Sequence, residues 1–104
     1  MNIGRILINQ ISDYQKTLTV NIVDDDLNAI KKRVINIETI CDIFLILLNQ
    51  KELKKQNSYV LFLQKIVNAL NYLLFLYKSK EIRENVLLAR NKIAELILKL
   101  EEED

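Results

Sequence analysis

Carboxylates offer the first chemistry to weigh. Glu81 and Glu84 stand three apart, and Glu101 and Asp104 repeat that spacing at the far end of the chain. Two such pairs facing each other from separate helices could hold a magnesium ion. Here both fall on one predicted helix, about 25 Å or more apart at 1.5 Å per residue, so they cannot meet on one cation. Glu38 and Asp42 lie four apart on another helix, where like charges repel unless a basic side chain or a partner intervenes. Asp24, Asp25 and Asp26 are adjacent. Three consecutive carboxylates cannot converge on a metal from a first helical turn, whereas one can cap the helix and the others oppose the positive end of its dipole. No metal and no cofactor is assigned from these spacings.

The residue inventory narrows the chemistry further. The 104 residues include no His, no Pro, no Trp, one Gly and one Cys. Ser-His-Asp and Cys-His catalysis, His-containing zinc sites and Gly-rich nucleotide loops each need a residue that is missing or too scarce. The chain is therefore read as non-catalytic. Cys41 has no partner for an internal disulfide and sits in an apolar run, the setting of a small core side chain. The opening MNIGRILINQ is too briefly apolar for a signal segment, so a cytoplasmic protein is expected. Ile, Lys and Asn make up 37 of the 104 residues, a bias expected of a genome rich in A and T and unrelated to function.

Basic residues fall in three groups: Lys31, Lys32 and Arg33, then Lys51, Lys54 and Lys55, then Lys78, Lys80 and Arg83. They form no single stripe, and 15 basic against 14 acidic residues leave a net charge of +1. Solvated helix ends explain them best. Lys51, Lys54 and Lys55 are the contacts to expect if the chain is instead a small nucleic-acid-binding accessory protein, using lysine clusters on a symmetric dimer.

The elements that must position these residues are helices. Ile3, Leu7, Ile11, Tyr14 and Leu18 recur at steps of 4, 4, 3 and 4, which predicts a first helix over about 2–19. The β-branched run TLTVNIV then predicts a short extended connection. Leu27, Ile30, Val34, Ile37, Cys41, Phe44 and Leu48 alternate steps of 3 and 4, a heptad seam that predicts a second helix over about 25–55. A third helix is predicted over about 58–78, with Asn57 or Ser58 as its cap. From Tyr59 to Tyr77 it holds 15 apolar residues in 19, broken by Gln64, Lys65, Asn68 and Asn71 along one narrow face. Those polar residues argue for a central bundle helix with one wet stripe and against a membrane span. The last helix, about 80–102, repeats the seam at Ile82, Val86, Ala89, Ile93, Leu96 and Leu100. Its phase is offset by the five residues from Tyr77 to Ile82, so a break is predicted at Lys78–Glu81 with Ser79 as cap.

The fold class that follows is all-α: an antiparallel bundle of about four helices, three if the last two are continuous, in a single domain over 1–104. Helix two is apolar nearly all round from Ile40 to Leu48, and helix four carries a second line at Leu87, Ala94 and Leu98. More apolar surface is present than one bundle can hide. Oligomerisation with coiled-coil-like packing is expected, a homodimer first, through the Leu27–Leu48 seam or the Leu87, Ala94 and Leu98 line. Glu38 and Asp42 share a stripe with Lys31 and Asn49 that reads first as a solvated edge and next as a partner-facing salt bridge; Asp42, which interrupts the run ICDIFLILL, is the polar residue that could be buried in an interface or face a partner. The function expected is that of a non-catalytic interaction or assembly protein, a homo-oligomer or a small subunit of a larger complex.

Overall fold

Four helices account for most of the described residues, each on a segment that the apolar spacing predicts, with ends of the first two that differ from expectation. The computed structural model describes residues 2–102. Its helices are α1 (Ile3–Val23), α2 (Leu27–Asn49), α3 (Asn57–Leu76) and α4 (Lys80–Glu101), with no strand among the described residues.

The first helix outlasts its expected end. Thr17, Thr19, Val20 and Val23 disfavour helix by propensity, yet Leu18 and Ile22 in the same stretch are buried, and that packing outweighs it. The hydroxyls of Thr17 and Thr19 also donate back to the carbonyls of Asp13 and Gln15, 3.1 Å in each case, which ties both side chains to the helix.

The three aspartates divide the work of the turn that follows. Asp24 ends α1, Asp25 takes a left-handed φ of 53°, and Asp26 caps α2 by accepting from the amide of Ala29 at 3.1 Å. The amides of Asp25 and Asp26 donate back to Ile22 and Asn21, the paired bonds of a Schellman close. The second helix ends the same way and six residues earlier than its periodicity suggests. Lys51 is left-handed at φ 58°, and the amides of Lys51 and Glu52 return to Leu48 and Leu47. Lys51, Lys54 and Lys55 therefore lie in the connection to α3, not in a last helical turn. The third helix starts after Gln56, with no side-chain cap from Asn57 or Ser58. The break before α4 falls where expected, with Ser79 at the capping position, although its hydroxyl makes no capping bond.

Around the bundle axis the helices run in the order α1, α2, α4, α3, so the α2–α3 connection crosses a diagonal. Successive helices point up, down, up and down. Because of the diagonal crossing, however, α1 lies beside α3 and α2 beside α4 in parallel pairs. Side chains that bridge the pairs agree with this: Tyr59 at the start of α3 donates to Asn2 at the start of α1 (2.9 Å), and Lys92 of α4 pairs with Asp42 of α2 (2.5 Å). The bundle measures 40 × 22 × 17 Å.

The core is wholly apolar, with 25 buried hydrophobic residues and no buried polar or charged residue among those described. Ile30, Val34, Ile37, Cys41, Phe44 and Leu48 are all in it, between 0 and 7% exposed. This seam is consumed inside one chain, against α1 and α4, and has no surface left to offer a second. At the base of the bundle the Tyr59 ring meets Phe44 edge to face at 5.7 Å, and the Asn2 carboxamide that receives the Tyr59 hydroxyl also caps α1 through the amide of Arg5. Gly4 is buried beneath that phenol, and a Cβ there would sit 2.6 Å from Tyr59 Cζ. At the opposite end the Arg83 guanidinium donates to the carbonyls of Leu74 and Tyr77, which satisfies the C-terminus of α3 with a cation.

Candidate interaction surface

The carboxylates do not assemble. Glu81 and Glu84 occupy the first turns of α4 and Glu101 its last residue, while Asp104 lies outside the described residues. No group of three or more metal-ligating side chains occurs among the described residues. Asp42 is an exposed surface residue, with a side chain 54% exposed. It forms an ion pair with Lys92, which also approaches Glu95 at 3.6 Å, and the hydrogen bond that the lysine donates to Asp42 raises its pKa. The residue interrupts the apolar run ICDIFLILL yet sits on the α2–α4 rim, on the solvated edge its stripe predicts and not in the core. Cys41, one turn from Glu38 on α2, is fully buried; desolvation pushes its thiol up to about 12, against the opposing pull of Lys92 on α4.

Of the partner-facing line on α4, Leu87 packs on the edge of the core, Ala94 is half-buried, and only Leu98 stands open at 68% exposure. Leu27, at the head of the α2 seam, is half-buried.

The lysines come closer together than the sequence implied. Lys51, Lys54 and Lys55 share one groove at the base of the bundle with Lys99 from the end of α4. The groove also meets the acidic C-terminus: Lys55 donates to the carbonyl of Glu102 at 2.9 Å and Lys99 to its carboxylate at 3.0 Å.

The largest number of exposed large apolar side chains on any one helix lies elsewhere, on the outer side of α3. This helix packs mainly on α1 and α4, with Tyr59 also reaching Phe44 of α2, and its buried arc is Tyr59, Leu63, Ile66, Val67, Leu70, Leu73 and Leu74. At 100° per residue the opposite arc carries three rows with a repeat of seven: Leu61, Asn68 and Phe75; Ser58, Lys65 and Tyr72; Phe62, Ala69 and Leu76. Five of these nine are large apolar residues in water, Leu61 at 66%, Phe62 at 51%, Tyr72 at 56%, Phe75 at 72% and Leu76 at 51%. Phe62, Tyr72 and Phe75 are the exposed aromatic residues of the described chain, and all three are here. Tyr72 and Phe75 lie 6.5 Å apart, and the ammonium groups of Lys65 and Lys78 hover over Phe62 and Phe75 at 5.8 and 5.3 Å. The face carries no carboxylate, since none occurs between Lys54 and Lys80.

Gln64, Lys65, Asn68 and Asn71 form the wet stripe that the sequence predicts on this side. All four are exposed, but they are interleaved with the apolar five. The missing signal was available: seven of the apolar residues of α3 at core spacing leave five others that one bundle position cannot cover. By length and composition α3 would also suffice to cross a bilayer, although its inner arc is occupied by the bundle.

Comparison of the chain with known protein families, with characterised proteins and with solved structures gives no significant match.

Proposed function

We propose that the chain is a non-catalytic cytoplasmic assembly protein, working as a homo-oligomer or as a small subunit of a larger complex, and that the outer face of α3 is its contact surface. The observation that carries this reading is the cluster of five large apolar side chains on that face, more than half exposed in every case. At roughly 200 Å2 per large side chain, they present about 600 Å2, at the upper limit of what single soluble proteins leave open. Light scattering tests it. The wild type should give a particle heavier than the 12.2 kDa chain, and Leu61→Asp with Phe75→Asp should return it to that mass with helicity unchanged. A wild type that stays at the monomer mass with every candidate partner, or assembly indifferent to both substitutions, refutes the reading.

A second reading has one observation in its favour, the gathering of Lys51, Lys54, Lys55 and Lys99 around one groove. It makes the chain a nucleic-acid-binding accessory protein. Binding of an RNA or DNA oligonucleotide that weakens steeply with salt, and is lost when Lys51, Lys54 and Lys55 become Glu, would support it over the first.

A further inference from the structure

The exposed apolar residues at the two ends of α3 are arranged symmetrically about the middle of the helix. Leu61-Phe62-Leu63 at one end and Leu74-Phe75-Leu76 at the other read the same in opposite directions, and the centre of the reversal falls between Asn68 and Ala69. Leu63 and Leu74 are buried in the bundle, whereas Leu61, Phe62, Phe75 and Leu76 point out. The outward face is therefore apolar at both ends, and narrow and polar at its middle.

We propose that this face pairs with the same face of a second copy, the two α3 helices running antiparallel about a two-fold axis at Asn68 and Ala69. A two-fold antiparallel pair brings each residue opposite one at an equal distance on the other side of the axis. Leu61 and Phe62 of one copy then meet Phe75 and Leu76 of the other, and this happens twice. Lys65 meets Tyr72, a ring face and hydroxyl that accept an ammonium group without a carboxylate, as Lys65 already does over Phe62. At the axis Ala69 allows the backbones to approach, and each Asn68 finds the other, a hydrogen-bonding pair at the one point where symmetry places it against itself.

Charge decides between this arrangement and its parallel alternative. Lys65 is the one charged residue within α3. In parallel register it would face its own copy with no acidic group on the face to separate them. Antiparallel, the two ammonium-bearing residues are seven residues apart along the axis, about 10 Å, which is a full screening length in ordinary salt. Area agrees as well. Two faces of about 600 Å2 bury about 1,200 Å2 together, the lower end of specific interfaces, so a reversible dimer is expected. A lipid surface would have no use for the reversal and would bury Lys65 and Asn68 in its apolar layer without partners.

The proposal rests on α3 being the contact surface, and the experiment separates the two claims. Single cysteines are introduced into the full chain, where the native Cys41 is buried and out of reach. Ala69→Cys, on the axis, should give a covalent dimer under mild oxidation. Ser58→Cys, whose counterpart in the antiparallel pair lies about 30 Å away along the helix, should not. Phe62→Ser with Phe75→Ser should weaken the dimer at least tenfold in sedimentation velocity, and exposed positions leave the fold able to tolerate the change. Cross-linking of Ser58→Cys as readily as Ala69→Cys would overturn the antiparallel register while leaving α3 as the contact surface. A monomer that floats with phosphatidylserine vesicles would overturn the second copy as occupant. A dimer that ignores the Phe62 and Phe75 substitutions would overturn both claims.

Discussion

Gly4→Ala is a one-carbon substitution with a consequence that can be worked out from the base of the bundle. The added Cβ would lie 2.6 Å from Cζ and 2.9 Å from Cε2 of Tyr59, well inside contact distance. Tyr59 is 4% exposed and held on its far side by the edge of Phe44, so its ring has little room to retreat. Overpacking of a tight site costs about 1 to 3 kcal/mol. A displaced phenol also loses its 2.9 Å bond to Asn2, a further loss of about 1 kcal/mol. Against these stands the better helix propensity of Ala, at most about 1 kcal/mol and less in a first turn. The net expectation is a loss of about 2 kcal/mol, or a melting temperature lower by roughly 10 °C for a chain of this length. Thermal and urea unfolding followed by circular dichroism measure it. Tyr59→Phe alone should cost about 1 kcal/mol, and the double variant should cost less than the two singles together, because removing the hydroxyl relieves part of the overlap. An alanine variant as stable as the wild type would refute the close seating of Tyr59 on Gly4, and with it the parallel docking of α1 on α3.

Three further outcomes follow from the same geometry. Lys51→Gly should stabilise the chain by about 1 kcal/mol in urea unfolding, because an exposed lysine at φ 58° occupies a position that suits glycine. Asp42→Asn should cost less than about 1 kcal/mol, as for other exposed ion pairs, whereas a loss of several kcal/mol would mean that the α2–α4 rim is dry. Cys41 should not react with a thiol reagent until the chain unfolds. Its folded pKa of about 12 exceeds the ordinary 9.0, so the folded chain holds the proton more tightly and stability should fall as pH rises from 9 towards 12; Cys41→Ala should lack this part of the alkaline loss, and a fall of equal size in both proteins would assign it to other groups.

Periodicity carried most of the fold. The seams at Ile30–Leu48 and Ile82–Leu100 predicted which side of α2 and α4 is buried, and the phase offset after Tyr77 predicted the break before α4. Helix ends were harder, because local preference and tertiary packing pull in different directions there. The β-branched run after Lys16 reads as a helix breaker, but Leu18 and Ile22 are anchored in the core and hold it helical. The α2 sequence has good helix formers up to Lys55, yet a Schellman close at Lys51 turns the chain early so that it can cross the base. Nothing in the periodicity announces that crossing. Ring order is a property of how four apolar arcs fit one another, and Gly4, in the first turn of α1, acquires its role only because the diagonal brings Tyr59 onto it.

The α2 seam was open to two readings for a related reason. A heptad seam is the same pattern whether its partner is another helix of the chain or a second copy, so Leu27 to Leu48 could be read either way until the bundle claimed Ile30 through Leu48. What does discriminate is excess. A helix at one corner of a four-membered ring can bury only the arc that faces its two neighbours, and α1, α2 and α4 keep polar or charged residues over much of the rest. The third helix does not. It has the apolar content of a helix surrounded on all sides and the position of one that is half in water, and Leu61, Phe62, Tyr72, Phe75 and Leu76 are the difference. That mismatch between what a helix is made of and where the topology puts it is the physical ground for proposing α3 as the contact surface.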